Sequence, residues 1–205
     1  MKSYGEYCAL ARGLDVIGDR WSLLIVRELL IRPCRYTDLR DGLPGIASNL
    51  LADRLRQLTD AGVVAAGKEP PPIATTVYRL TERGRELEPA LRELARWGAP
   101  LMVRPPEGDT FRSKWLVLAA EVVHQPPADG AERTIQLETG DEPVVVRTGK
   151  GRVQARVGTA QDADLVVAAD PPTILGLLSG RLAPDEADAV FTGDVTALTG
   201  PAQAG

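Results

Sequence analysis

The stretch from Tyr36 to Leu80 constrains this chain more than any other. A short helical piece, Thr37 to Gly42, stops at Leu43-Pro44-Gly45, and a longer helical pattern runs from about Ala47 to Ala61. Gly62 follows, a residue suited to the left-handed conformation in which helices end. Two β-branched segments come next, Val63-Val64 and Thr75 to Leu80, separated by Glu69-Pro70-Pro71-Pro72-Ile73-Ala74. In the longer helix Leu51, Leu55 and Leu58 recur at i, i+4 and i+7 and mark the buried face. At about 100° per residue the opposite face carries Asn49, Asp53, Arg56 and Asp60, flanked by Ala52 and Gln57.

Helix, turn, helix and a two-stranded ribbon with a stiff tip is the element order of a winged helix-turn-helix. Asn and Arg on the outer face of the longer helix match the donors and acceptors that base edges present in the major groove. Such a face alone also describes an ordinary solvated helix; the surrounding pattern is what favours DNA. The candidate DNA contacts are Thr37, Ser48, Asn49, Ala52, Asp53, Arg54 and Arg56, with Lys68 and Arg79 on the ribbon. Arg35, just ahead of the first of these helices, is the candidate for a backbone phosphate.

At 205 residues, 44% hydrophobic and 25% charged, the chain has room for two globular domains. No apolar run reaches the ~20 residues that span a bilayer, and the N-terminus lacks the apolar core of a secretory signal. With only Cys8 and Cys34, no disulfide framework is implied, and the expected location is a reducing cytoplasm with no membrane partner. Net charge is −4, which at first argues against nucleic acid. Residues 1–104, however, hold 16 Lys and Arg against 13 Asp and Glu, a net +3, and the remainder hold 8 against 15, a net −7. Phosphate attraction follows local basic surface, so the acidic half does not veto DNA binding.

Upstream, Tyr7, Leu10, Leu14 and Ile17 lie at helical spacing, Gly18 breaks that helix, and Asp19 is placed to cap the next. The next helix is apolar nearly all round from Trp21 to Ile31, as a central buried helix is, with Arg20, Arg27 and Glu28 as exceptions. Downstream, Thr81 reads as an N-cap with Glu82 in the first turn, opening one helix with a Leu87, Leu91, Leu94 stripe and Ala90 and Trp97 beside it.

These residues carry a family resemblance over roughly residues 5–98. Cys8 opening the first helix, Gly18-Asp19-Arg20-Trp21, Tyr36-Thr37-Asp38-Leu39 and Leu80-Thr81-Glu82-Arg83-Gly84 together resemble the HxlR-type branch of the MarR-like winged-helix regulators. The resemblance implies a bacterial homodimeric transcription regulator, a repressor by expectation, on double-stranded operator DNA of inverted-repeat symmetry. It implies that the helix from Ala47 lies in the major groove, that the ribbon tip touches backbone or minor groove, and that the first helix and the Leu87 helix build the dimer. Plain packing of that leucine stripe on its own domain is the alternative. Where the family commonly has Pro after the cysteine, this chain has Ala9, and its ribbon is poor in charge.

Residues 99–109 read as a linker and 110–205 as a second domain, against 1–98 for DNA binding and dimerisation. Phe111, Trp115, Leu118 and Val122 lie at helical spacing. Strand-like runs follow at 133–138, 143–148, 152–158 and 164–170 with Gly-containing joints, then a helix from Pro171 to Gly180 and a last strand in Gly193 to Gly200. This half resembles the sterol-carrier-protein-like fold through residues 163–182 and Phe191-Thr192-Gly193. The expected architecture is thus α+β: a winged helix-turn-helix followed by a smaller domain with a curved antiparallel sheet and helices. That resemblance implies an apolar ligand pocket, with Trp115, Leu118, Val122, Ile174, Leu177, Leu178 and Phe191 as wall candidates; a plain core explains them equally.

Catalysis finds no foothold. One histidine, His124, ends a helix as a solvated or capping group, and the ligand count for a metal site, a nucleophile elbow and a phosphate loop are all missing. No enzyme, metal or cofactor is expected. Cys8 near a helix N-terminus, with Arg12 one turn on, is a candidate redox sensor, against the plain reading of an inert thiol; Cys34 reads as structural. Three functions stand: a DNA-binding regulator controlled by an apolar small molecule, the same regulator switched by oxidation of Cys8, and a lipid or small-molecule carrier with an N-terminal interaction module.

Overall fold

A computed structural model of the chain describes residues 3–69, 75–102, 108–126 and 130–199. The chain divides into two units, Met1–Leu91 and Arg92–Gly205. The expected ribbon tip at 70–74, and residues 103–107 of the expected linker, lie outside the described residues.

In the first unit α1 (Ala9–Ile17) buries only Ala11 and leaves Leu10 and Leu14 exposed, as is Tyr7 just ahead of it. α2 (Ser22–Ile31) buries Ile25, Val26 and Leu29 at the centre of the core. Asp19 does not cap it. The chain turns through Trp21, whose φ of 81° is left-handed, so Trp21 holds the cap position and the Asp19 carboxylate pairs with Arg54 instead. A residue pair that periodicity cannot reveal, Cys34–Arg35, forms β1.

After it come α3 (Tyr36–Gly42), α4 (Ser48–Asp60), β2 (Val64–Lys68) and β3 (Thr76–Leu80). The sheet is antiparallel in the order β1-β3-β2, with Cys34 opposite Tyr78 and Val64 opposite Leu80. Gly62 takes the expected left-handed conformation, φ +70°, between α4 and the sheet.

The helix expected from Thr81 is two helices, α5 (Glu82–Arg85) and α6 (Glu88–Gly98). Pro89 explains the break, since it has no N–H to bond back to residue 85 and its ring would crowd that carbonyl. Thr81 caps α5 as expected, accepting from the Gly84 N–H at 3.0 Å and donating to the Gly62 carbonyl at 2.6 Å. Gly84 is where helix meets strand: a Cβ there would stand 2.1 Å from the Val63 carbonyl oxygen.

In the second unit Ala99–Met102 forms a 3-10 turn where a linker was expected. Another, Ser113–Trp115, leads into α7 (Leu116–Val123). That tighter start shifts the phase of the helix. Leu116 and Ala120 are buried, and not the expected face of Phe111, Trp115, Leu118 and Val122.

The strands are β4 (Arg133–Glu138), β5 (Val144–Gly149), β6 (Arg152–Val157) and β7 (Leu165–Ala168), then α8 (Pro171–Leu178), β8 (Val190–Gly193) and α9 (Thr196–Thr199). Their order is β6-β5-β4-β7-β8. The sheet is mixed, correcting the antiparallel expectation, because β7 runs parallel to β4. Residues 158–164 recross the sheet, held by the Gln136 side chain on the Ala160 N–H at 2.9 Å, and deliver Asp164 to the Thr134 carbonyl at the start of β4.

The core lies on one face, where Ile135, Leu137, Val144, Val146, Leu165 and Val167 meet Leu116, Ala120, Ile174, Leu177 and Leu178. At the outer edge of β6 the Glu121 carboxylate accepts the Ala155 N–H at 2.9 Å. The final strand is β8; Thr196–Thr199 is helical instead, because Asp194 accepts from both the N–H and the hydroxyl of Thr196 and starts a turn. Those two bonds hold the Asp194 carboxyl below the usual carboxylate range.

His124 also departs from expectation. It does sit at the C-cap of α7, but it is buried, with Nδ1 3.1 Å from the Leu178 carbonyl and Nε2 without a partner among the described residues. Burial lowers its pKa, opposed by the Leu178 carbonyl. The unfolded chain therefore binds the proton more readily, so this contribution to stability is full above about pH 6.5 and declines as pH falls below it.

Two outcomes follow from this packing. Gly84→Ala lowers stability by about 1–3 kcal/mol, read from the urea midpoint, because the Val63 carbonyl must move. The melting temperature of the wild type drops from about pH 7 to pH 5 more than that of His124→Gln; identical pH profiles would remove His124 from the explanation.

Candidate nucleic-acid interface

The site begins with burial. Leu51, Leu55 and Leu58 are at most 2% exposed, which turns the opposite side of α4 to solvent. Ser48, Asn49, Ala52, Arg56 and Asp60 are exposed and Asp53 is half-buried. The turn into α4 passes through Gly45 at φ +85°, with Leu43 and Ile46 buried on either side.

Tyr36 ties the two helices together by donating its hydroxyl to the Ser48 carbonyl at 2.7 Å. That bond brings the start of α3, and with it exposed Arg35 and Thr37, beside the first turn of α4. Asp38 closes the same corner, its carboxylate accepting the Arg35 N–H at 2.8 Å. Exposed donors at a helix N-terminus, next to an unburied guanidinium, suit a phosphate or a base edge.

Charge is distributed unequally along α4. Arg56 pairs with Asp53 at 2.6 Å, both groups at least half exposed, and a pair so solvated is worth little and exchanges readily for another anion. Arg54 is a correction to the expected contact set. Its side chain is 16% exposed and bonded to Asp19 and Gln57, so it anchors the helix and offers no available cation. On the ribbon Lys68 is exposed at the end of β2, whereas Arg79 pairs with Glu69. Arg20 stacks on the Trp21 ring, 5.4 Å from its centre. Sequence reasoning passed over Tyr36 and misassigned Asp19, although both sit in short motifs it had singled out.

Cys8 is exposed at the N-cap of α1. Arg12 turns away to Ser3 and Asp15, and the Tyr4 N–H, with Ser3 and Arg12, holds the Asp15 carboxyl below the usual range. Cys34 is buried, its Sγ 3.3 Å from the Arg32 carbonyl. Of the wall candidates, Ile174, Leu177 and Leu178 are core and Phe191 packs against it. Trp115, Leu118 and Val122 are half-buried, with Trp115 edge-on to Phe111 at 6.2 Å. Among the described residues no group of three or more His, Cys, Asp or Glu could hold a metal ion.

The HxlR-like helix-turn-helix family matches residues 16–105. The helix-turn-helix-type transcriptional regulator sll1512 of Synechocystis, itself uncharacterised, is 35% identical over 95 residues, which is 46% of this chain and 70% of that protein. YvaP of Bacillus subtilis, another uncharacterised regulator of this type, is 33% identical over 86 residues, 42% of this chain and 80% of that protein. The chain belongs to the HxlR-like family. It is a transcriptional regulator of the HxlR type, with a helix-turn-helix and DNA as its partner. Among solved structures, the oxidised redox regulator HypR is 30% identical over 45% of this chain and 96% of that chain, with a TM-score of 0.43. The helix-turn-helix of this HxlR-like chain is α3 and α4, joined by the Tyr36 hydrogen bond.

Tyr36→Phe removes that bond alone and lowers stability by about 0.5–1.5 kcal/mol in urea unfolding. A variant as stable as the wild type would show that water replaces Ser48 as the hydroxyl's partner at no cost.

Proposed function

We propose that this chain represses transcription as a homodimer on an operator of inverted-repeat symmetry. In this reading 1–98 serve as the DNA-binding and dimerisation domain, and an effector-binding domain at 110–205 controls it. The observation that carries the DNA reading is the solvent-facing side of α4, where Asn49 and Arg56 are exposed opposite buried Leu51, Leu55 and Leu58, with exposed Ala52 on its flank.

The homodimer is supported by apolar residues that the single chain leaves in water. α1 exposes Leu10 and Leu14, with exposed Tyr7 just ahead of it, and α6 exposes Leu94 and Trp97, while Leu87 and Leu91 of the same stripe pack on their own core. Exposed apolar clusters of this kind mark association surfaces. A two-fold dimer would set its two α4 helices about 34–36 Å apart, one turn of DNA.

An apolar small-molecule effector in a sterol-carrier-like second domain is supported by helices covering a five-stranded sheet over an aliphatic core. Such a ligand acts by binding one arrangement of the paired α4 helices better than another. A second reading, oxidation of Cys8 as the signal, is favoured by the exposure of that thiol at the head of α1. Cys8→Ser separates the two: it abolishes a response to oxidant and leaves a response to an apolar ligand intact.

Binding to duplexes selected from a random pool tests the DNA reading. Asn49→Ala and Arg56→Ala each cost about 1–3 kcal/mol on the selected duplex and relax its sequence preference. Arg35→Ala weakens binding to all duplexes alike and flattens the salt dependence by about one phosphate contact. Equal losses on selected and scrambled DNA for Asn49→Ala would mean that another surface reads the bases.

A further inference from the structure

We propose that the Asp19–Arg54 ion pair is a positioning device that fixes the roll of α4, so that two residues that touch no base set the sequence preference. The proposal rests on α4 being the groove helix. It assigns the buried flank of that helix a role separate from holding the fold together.

Leu51, Leu55 and Leu58 form the buried stripe, with only partly buried Leu50 and Ala61 packed beside it, and side chains on so narrow a stripe resist lifting a helix more than they resist rolling it. Arg54 projects from the flank, about 60° around the helix from Leu51. Its guanidinium is paired with Asp19 and with Gln57 one turn on, and its Nε has no partner among the described residues. Among the described residues the guanidinium is therefore held at its tip by those two groups.

Asp19 belongs to a corner that cannot easily follow a rolling helix. Gly18 is pressed against the end of α1, where a Cβ would stand 2.6 Å from the Leu14 carbonyl oxygen. Two residues after Asp19 the backbone passes through left-handed Trp21, a conformation that persists for a bulky side chain only where the surroundings enforce it. The Trp21 ring packs against the core and reaches the turn before α4, 4.0 Å from where a Gly45 Cβ would lie. The α1–α2 corner thus holds α4 by an ion pair at its middle, while the Trp21 ring lies beside the Gly45 turn that leads into the helix.

Roll matters because Asn49, Asp53 and Arg56 must meet particular base edges, whereas phosphate contacts tolerate a shift. The Arg54 side chain is 16% exposed and the Asp19 carboxylate 49%, so the pair is solvated at one end and contributes less to stability than a fully buried pair. Loss of the pair should therefore appear in discrimination between sequences, with folding and general DNA affinity retained.

The test uses the full chain. The wild-type protein selects a duplex from a random pool, and affinities for that duplex and a scrambled copy are measured for wild type, Asp19→Asn and Arg54→Lys. Asn keeps the shape of Asp19 without its charge, and Lys keeps the charge of Arg54 without the fork. The expected result is that the ratio of selected to scrambled affinity falls about tenfold in both variants, the worth of roughly one base-edge contact, while scrambled affinity and the urea midpoint stay near wild type. An unchanged ratio overturns the proposal. So does a parallel loss on both duplexes, which would make the pair merely structural. A wild-type protein that selects no sequence fails at the earlier step and sinks the groove-helix reading along with it.

Discussion

The seating of Leu51, Leu55 and Leu58 against Ile25, Leu29 and Leu39 is the contact on which the first unit depends. Each leucine withdrawn from water contributes about 1.5–3 kcal/mol, enough that this side of α4 is fixed inward. Everything chemical about the helix follows from that choice. Because the apolar stripe is committed, Asn49 and Arg56 face out, and Arg54, one residue from Leu55, lands on a flank too crowded for a solvated cation. The same sequence of residues thereby yields two arginines of opposite use.

How much of this was legible in the sequence varied with the physics involved. The extents of α3 and α4, the left-handed Gly62 and the Thr81 cap follow from local rules, so periodicity and capping chemistry place them well. Other features were decided by contacts far apart in the chain. β1 is two residues long and exists only because β3 passes beside it. Asp19 looked like a cap on local grounds, and an arginine 35 residues later claimed it. The inward turn of Arg54 is the same event seen from the other side.

In the second unit the misreadings share a cause. Alternation of apolar residues identified the strands, but pairing direction is a property of the path between them. The loop at 158–164, secured by Gln136, brings β7 in parallel with β4. Likewise a 3-10 start at Ser113 displaces the face of α7 by less than a turn, enough to bury Leu116 and Ala120 in place of Leu118 and Val122. His124 caps its helix as local rules allow, but helix ends are commonly wet and this one is buried against the Leu178 carbonyl of α8.

The carboxylate of Glu121 has a bearing beyond the unit it belongs to. β6 is a border strand, and its outward amides would otherwise invite a strand from a neighbouring molecule. By occupying the Ala155 amide from the side, Glu121, itself paired with Arg92 at 2.7 Å, spoils the template at its midpoint, where an incoming carbonyl would need to dock. The opposite border, β8, is only four residues long. Sheet-to-sheet growth, the common route by which such domains aggregate, is thus discouraged at one rim by an occupied amide and at the other by shortness.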